Sequence, residues 1–200
     1  MPKAIIFDFD GVIHDTFEFH RNTIGEFTGN LLSKEDFRDI HNGNFYANKN
    51  DKLKGTDWIG YRDFTYEPIA NFEMEAEMKE MLLSLSKLYE LFMVSSGWEQ
   101  NIGAFLKKSG VREIFKEVLG GESHKSKVEK FNLLFKKYSL TPDDVVFITD
   151  TLGDILEANE MNIKTIAVDF GYHPRETLEK GKPWKIVSSV GELSETIKSL

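Results

Sequence analysis

The sequence predicts an α/β protein with a doubly wound parallel sheet and a small helical cap inserted after the first strand. Three observations indicate this fold. Short apolar runs recur along the chain, amphipathic helical patterns lie between them, and one polar stretch rich in aromatic residues interrupts the alternation. Alternation of strands and helices is typical of parallel sheets covered by helices on both faces. Because ligands of such sheets bind beyond the carboxyl ends of the strands, we expect functional residues there.

The apolar runs predict the strands. Residues 3–7 form the first run, rich in Ile and Phe, and it ends where a pair of acids begins. A short apolar run bounded by polar residues is typical of a buried strand. The later runs cover residues 91–94, 145–148 and 163–168, with weaker candidates at 117–119 and 185–187.

Apolar residues at three-four spacing predict one helix from Met78 to Tyr89 and another from Val128 to Tyr138. Ser126 and Glu129 have the spacing of a capping box at the start of the second helix. Local signals also predict a helical turn at residues 141–144, which begin Thr-Pro, and a left-handed helix end at Gly110.

Residues 15–76 break the alternation. This stretch contains an Asn-rich loop at residues 42–50 and no convincing strand run. We therefore predict a helical cap domain over residues 15–76 and a Rossmann-like core domain formed by residues 1–14 and 77–200.

Composition narrows the classes of function. The 200 residues carry a net charge of -8, so no basic excess is available for nucleic acid. No cysteine is present, which excludes a disulfide scaffold and a thiolate zinc site. No segment approaches the about 18 apolar residues of a membrane span, and the N-terminus reaches an Asp too soon for a signal peptide. We expect a cytoplasmic protein without membrane partners; its oligomeric state is open, with a monomer as the starting expectation.

Acidic, hydroxyl and amino groups follow the predicted strand ends. They belong to residues that the parallel topology brings to one edge of the sheet: Asp8, Asp10, Ser95, Lys125, Asp150 and Asp154. Several carboxylates on one rim repel one another unless a cation neutralises them. Oxygen ligands without His or Cys suit Mg²⁺, which would let a carboxylate attack a phosphate group.

The pattern resembles the haloacid dehalogenase superfamily, in its phosphatase and phosphomutase branch. Four features carry the resemblance: the segment Phe-Asp-Phe-Asp-Gly-Val at residues 7–12, the apolar strand ending in Ser95, Lys125, and the segment Asp-Thr-Leu-Gly-Asp at residues 150–154. Asp15-Thr16 and His20 resemble the cap entry of β-phosphoglucomutase-like members. The segment Gly-Tyr-His-Pro-Arg at residues 171–175 resembles phosphoglycolate-phosphatase-like members.

The resemblance implies a role for each site residue. Asp8 is expected to be the nucleophile that forms an aspartyl-phosphate, and Asp10 the general acid and then the general base. The expected Mg²⁺ ligands are the Asp8 carboxylate, the Asp10 backbone carbonyl and Asp150, supported by Asp154 from outside the ligand set. The expected phosphate-binding residues are Gly11, Ser95 and Lys125. The expected substrate is a small phosphorylated metabolite, of the sugar phosphate, phosphoglycolate or nucleotide type.

The sequence departs from the usual family pattern at two places. Thr149 stands where many members have Gly, and Lys125 is followed by Ser126 instead of Pro, so Lys127 competes for the lysine role. We prefer Lys125, because a capping box at Ser126 would leave it in the loop at the rim.

Three other functions compete with a phosphatase. A phosphosugar mutase would share the chemistry of Asp8, and the cap entry with His20 favours it. A haloacid dehalogenase would need no general acid at Asp10. A non-catalytic domain should have lost motif residues, and none is missing from this sequence.

Overall fold

A computed structural model describes residues 2–47 and 50–200, so Met1 and two residues of the predicted Asn-rich loop, Asn48 and Lys49, lie outside it. The described part confirms the predicted α/β class: six parallel strands form one sheet in the order β3-β2-β1-β4-β5-β6. The strands are β1 (Ala4–Phe7), β2 (Glu90–Val94), β3 (Phe115–Leu119), β4 (Val145–Thr149), β5 (Lys164–Val168) and β6 (Lys185–Val187).

Helices cover both faces of the sheet and form most of the inserted stretch. They are α1 (Phe17–Thr28), α2 (Lys34–Asp39), α3 (Trp58–Asn71), α4 (Ala76–Leu85), α5 (Glu99–Lys108), α6 (Lys127–Tyr138), α7 (Leu152–Glu160), α8 (Arg175–Leu178) and α9 (Val190–Lys198). None of these helices has the length and apolar character needed to cross a bilayer.

The alternating side chains of β1 divide the core between the two faces. Ile5 and Phe7 pack into a cluster with residues of α4, α5 and α9, whereas Ala4 and Ile6 pack into a second cluster with residues of α6 and α7. All four are fully buried. Burial on both faces is what a near-continuous apolar run predicts for a central parallel strand.

Three local predictions are confirmed, among them the helix from Val128 to Tyr138, which is α6, and two are wrong. Residues 141–144 form a helical turn closed by a capping box, and Gly110 has a left-handed φ of 72° after α5. The helix predicted through Tyr89 ends at Leu85, and Leu88 beyond it is exposed. The capping box at Ser126 does not form, because the Ser126 hydroxyl donates to Glu157 of α7 instead of accepting from the helix.

The inserted stretch has its own apolar cluster. Phe17, Ile24, Phe37 and Tyr61 pack together with further residues of the insert and with Tyr172 from the loop after β5. On its other side α3 is tied to α5, because Asn101 donates to Thr65 and to the backbone of Arg62. The helical insert therefore lies over the carboxyl edge of the sheet.

Candidate active site

The predicted acids and Ser95 meet at the carboxyl edge of three neighbouring strands. Asp8 and Asp10 follow β1, Ser95 follows β2, and Asp150 follows β4. Because β1 pairs with both β2 and β4 in parallel, their ends lie side by side. These residues and Asp154 all line one cavity, and residues of the inserted stretch line its other side. Their roles in catalysis stay predictions, but their juxtaposition is that of a single site.

Lys127, and not Lys125, lies next to the first acid. The Lys127 ammonium is 2.5 Å from Oδ2 of Asp8 and 2.8 Å from Oδ2 of Asp154, and it is fully buried. The Lys125 ammonium donates to the backbone carbonyl of Gly121 and lies over the ring of Trp98. The geometry therefore favours Lys127 over Lys125 for the lysine role, and this role stays a prediction.

The preference for Lys125 came from the predicted capping box. α6 begins at Lys127, and side chains of a first helical turn point back toward the helix N-terminus, here toward the sheet edge. Lys127 can be held there because its backbone N–H donates to the Glu157 carboxylate. Lys125 precedes the helix, and its side chain turns toward the β2 loop.

Three buried carboxylates form the centre of the site. One oxygen from each of Asp8, Asp150 and Asp154 lies within 4.8 Å of the others. Burial raises the pKa of Asp8 above its usual range, although Lys127 opposes this. Burial and the Asp8 charge raise the pKa of Asp150 well above its usual range. Burial also acts to raise the pKa of Asp154, but Lys127 and Thr149 outweigh it and hold that pKa below its usual range.

Asp150 fits the role of a metal ligand. Its Oδ2 accepts from the backbone N–H of Tyr172 at 2.7 Å, while its buried Oδ1 has no hydrogen-bond partner among the described residues. A buried carboxylate oxygen without a donor is costly unless a cation neutralises it. Asp150 thus offers a hard oxygen atom of the kind that Mg²⁺ prefers, whereas Oδ2 of Asp8 and Oδ2 of Asp154 both accept from Lys127.

Gly11 is required by close packing. It has a φ of 70°, and a Cβ at this position would lie 1.8 Å from Oδ2 of Asp150. Gly171 approaches the same carboxylate from the other side. The two glycines therefore leave the space in which Asp150 can point toward Asp8.

Asp10 is held by a network that the sequence analysis did not foresee. Its Oδ1 accepts from the Thr16 hydroxyl at 2.7 Å and lies 3.2 Å from Nε2 of His20. The other ring nitrogen of His20 is 2.9 Å from the hydroxyl of Tyr61 in α3. Burial acts to raise the pKa of Asp10, but His20 and Thr16 outweigh it and the pKa is lowered. The only signal in the sequence was the resemblance of residues 15–20 to a cap entry.

Ser95 is fixed from two sides. Its Oγ accepts from the backbone N–H of Gly97 at 3.0 Å, and its carbonyl oxygen accepts from the buried ammonium of Lys130. Burial and the nearby Lys127 lower the pKa of Lys130 to about 7. Periodicity alone does not distinguish Lys130 from its exposed neighbours, so no signal in the sequence singles it out.

The segment at residues 171–175 completes the wall of the site. Tyr172 donates its backbone N–H to Asp150, and its hydroxyl lies 3.0 Å from that of Thr16. His173 accepts from the backbone N–H of Leu152 at 2.9 Å. A loop distant in sequence thus connects Asp150 with the network around Asp10.

A loop of the insert crosses the mouth of the site and contacts the core. The backbone carbonyl of His41 accepts from the backbone N–H of Gly153. The side-chain amide of Asn44 donates to the Glu157 carboxylate and to the backbone carbonyl of Lys125. The Tyr46 hydroxyl donates to the backbone carbonyl of Ser96 at 2.6 Å. These bonds hold the insert against the core.

The chain is similar to proteins named as phosphatases. A phosphoglycolate phosphatase of Synechococcus elongatus is 27% identical over 110 residues, which are 55% of this chain and 52% of that protein. One of Vibrio vulnificus is 24% identical over 60% of this chain and 54% of its own length. The chain thus spans about half the length of these curated relatives.

Solved structures share the fold over its full extent. A predicted phosphatase from Clostridium acetobutylicum superposes with a TM-score of 0.84 at 19% identity, covering 100% of both chains. CbbY from Rhodobacter sphaeroides, solved in complex with phosphate, superposes with a TM-score of 0.78 at 18% identity over 96% of both chains. The sequence model described as haloacid dehalogenase-like hydrolase matches residues 5–168. This match, together with the shared fold, shows that the chain belongs to the haloacid dehalogenase-like hydrolase family.

Proposed function

We propose that this protein is a Mg²⁺-dependent phosphomonoester hydrolase that forms an aspartyl-phosphate on Asp8. The observation that carries this proposal is the position of Asp8 between a cation and a second acid. Lys127 lies 2.5 Å from its Oδ2, and Asp150 offers a buried oxygen without a described partner nearby. The names of the two curated relatives described above, both phosphoglycolate phosphatases, also support it.

In the first half-reaction an Asp8 oxygen attacks phosphorus and the bond from phosphorus to the leaving oxygen breaks. The electron pair stays on that oxygen, which takes a proton from Asp10. Asp10 needs to be protonated for this step. A phosphate group that arrives beside Asp10 adds negative charge, and this raises the pKa of the carboxyl group.

In the second half-reaction Asp10, now ionised, takes a proton from a water molecule whose oxygen attacks phosphorus. The bond between phosphorus and Asp8 breaks, and inorganic phosphate leaves. Thr16 and His20 hold the Asp10 carboxylate for this step, because both contact its Oδ1. Lys127, the Ser95 hydroxyl and the backbone at Gly11 are proposed to contact the phosphate oxygens, on which charge develops.

Mg²⁺, when bound by Asp8, Asp150 and the backbone carbonyl of Asp10, would neutralise the acids and polarise the phosphate. Residues 15–76 are proposed to act as the cap that excludes bulk water and selects the leaving group. The contacts of Tyr46 and His41 with the core fit this role.

The proposal is tested by following phosphate release from a panel of small phosphomonoesters, with and without Mg²⁺. Asp8→Asn removes the nucleophile but keeps the shape of the side chain, so we expect at least a 10³-fold loss of kcat, in the range for loss of a nucleophile. An Asp8→Asn enzyme that hydrolyses the best substrate at the wild-type rate contradicts the proposal.

The metal is tested without turnover. A metal ion that binds only the folded protein stabilises it, so we expect Mg²⁺ to raise Tm in a concentration-dependent manner. Asp150→Asn should abolish this rise, whereas Asp143→Asn, an exposed acid remote from the site, should retain it. Equal stabilisation of both variants by Mg²⁺ argues against a site at Asp150.

A phosphosugar mutase of the β-phosphoglucomutase type is the second candidate. The observation that favours it is His20, which contacts Asp10 in the segment that resembles those enzymes. A mutase requires a bisphosphate activator and releases little free phosphate. Phosphate release in one-to-one ratio with substrate consumed, without an activator, decides for the hydrolase.

A further inference from the structure

Aromatic side chains form the cap side of the cavity that contains Asp8. Phe45, Tyr46 and Trp58 come from the insert, and Trp98 faces them from the loop after β2. All four are only partly buried. Phe45 and Trp58 also pack against the apolar cluster of the insert, so the part of each ring that stays exposed at the cavity is what a ligand can contact.

The rings are held in place by one another and by the core. The Phe45 ring stacks on His41 at 5.3 Å and 25°, and it meets the Trp58 ring edge to face at 5.3 Å and 71°. The hydroxyl of Tyr46, the next ring along, is bonded to the carbonyl of Ser96. The ring faces are therefore oriented before a ligand arrives, which lowers the entropy cost of stacking.

The basic side chains near these rings already have partners within the protein. Within the described ranges, the cavity lining contains no Lys or Arg. Lys127 is paired with Asp8 and Asp154, and the Lys125 ammonium donates to Gly121 and lies over the Tyr46 and Trp98 rings. The Arg62 guanidinium, 5.8 Å from the centre of the Trp98 ring, pairs with Asp63, and His20 of the lining contacts Asp10. Burial lowers the pKa of His41 to about 4, so this imidazole is neutral at pH 7.

We propose that the leaving group of the substrate carries a planar aromatic ring, that this ring stacks among Phe45, Trp58 and Trp98, and that it bears no second anionic group. This inference rests on the proposed phosphatase activity and narrows its substrate class. A nucleoside monophosphate and a phosphorylated aromatic alcohol such as pyridoxine phosphate share this chemistry. Phosphoglycolate does not, because its carboxylate would enter a cavity lined by acids.

The test compares kcat/KM for benzyl phosphate and cyclohexylmethyl phosphate. Both are esters of primary alcohols with a six-membered ring, so their leaving groups differ mainly in planarity and π-character. Pairs of aromatic rings gain interaction free energy beyond that of burying their apolar area. We therefore expect kcat/KM to be about fivefold to tenfold higher for benzyl phosphate than for cyclohexylmethyl phosphate. We also expect phosphoglycolate to fall below benzyl phosphate by at least tenfold. A ratio near one for the first pair, or a preference for phosphoglycolate, overturns the inference.

Two substitutions in α3 test whether Trp58 is responsible for the preference for the aromatic ester. Trp58→Leu keeps apolar volume but removes the ring, and it should bring the ratio of benzyl to cyclohexylmethyl phosphate close to one. Tyr66→Leu is the matched control, because Tyr66 is an exposed ring of the same helix outside the cavity. Loss of the preference in Trp58→Leu alone supports the inference, and an unchanged ratio in that variant overturns it.

Phosphate release from two natural esters and from the smallest ester is also compared. Adenosine monophosphate and pyridoxine phosphate are compared with methyl phosphate, and the faster of the two identifies the source of the ring. If methyl phosphate surpasses both, the inference is overturned while the phosphatase proposal stands. If none of the esters, methyl phosphate included, releases phosphate with Mg²⁺, the phosphatase proposal itself fails and the inference with it.

Discussion

The Lys127 ammonium lies 2.5 Å from the Asp8 carboxylate, although the two residues are 119 positions apart in the chain. The pair is buried, and the same ammonium also bonds to Asp154 at 2.8 Å. A cation in this position neutralises part of the acidic cluster and faces the space that a phosphate group would occupy beside Asp8.

Lys127→Met should lower kcat/KM for phosphate release by about 10² to 10³-fold, because one fixed positive charge at the reacting group is lost. Steady-state kinetics at saturating Mg²⁺ measures this. Lys125→Met is the control, since Lys125 bonds to Gly121 and not to an acid, and it should retain activity within about tenfold. If Lys125→Met lowers kcat/KM more than Lys127→Met does, Lys125 is the lysine that acts on the phosphate group.

Gly11→Ala should abolish detectable activity, because the new Cβ would lie 1.8 Å from Oδ2 of Asp150 and displace this carboxylate. Gly29→Ala is matched to it in backbone conformation, with a φ of 73° and nothing within 4 Å of the new Cβ. It should cost about 1 kcal/mol of stability for the left-handed conformation and leave kcat intact. Equal kinetic effects of the two substitutions would show that strain, and not contact with Asp150, is responsible.

His20→Ala should shift the acid limb of the pH profile of the dephosphorylation rate to higher pH. His20 lowers the pKa of Asp10 by its charge and its hydrogen bond, so removing it raises that pKa, and the ionised base then requires a higher pH. Single-turnover decay of the phosphorylated enzyme across pH values measures the limb. Tyr61→Phe, which keeps the contact of His20 with Asp10, should give a smaller shift in the same direction. If the acid limb of the pH profile is unchanged in His20→Ala, His20 has no part in the acid-base chemistry.

Lys130→Met should change how stability depends on pH. Burial lowers the pKa of Lys130 to about 7, below its unfolded value of 10.5, so between these values the unfolded chain binds a proton that the folded chain does not. Stability therefore rises with pH in this window, by up to about 1.4 kcal/mol per pH unit from this residue. Urea unfolding at pH 7, 8 and 9 should show a smaller slope for Lys130→Met than for the wild type.

Lys136→Met provides the control for Lys130, because Lys136 is exposed on the same helix. Its pH slope should match that of the wild type. A Lys130→Met slope that also matches would mean that Lys130 is not buried as a neutral amine above pH 7.

Local sequence patterns determined the sheet of this protein. Even the weak runs at residues 117–119 and 185–187 lie in strands, β3 and β6. Apolar runs are informative here because a central parallel strand must bury both faces. The parallel topology then fixes which residues meet, since every strand ends at the same edge. Asp8, Ser95 and Asp150 could therefore be predicted as neighbours without knowledge of any contact.

Side-chain direction and contacts between distant loops could not be predicted in this way. Lys125 and Lys127 differ by two positions, and only the first turn of α6 decides which ammonium points at Asp8. Tyr172 reaches Thr16 across 156 residues, a contact that no local pattern encodes. The sequence by itself determined the strands and the acids at their ends, because burial and periodicity are local. The tertiary structure alone decided the lysine, the network that holds Asp10 and the aromatic wall, because these depend on how the insert folds back over the sheet.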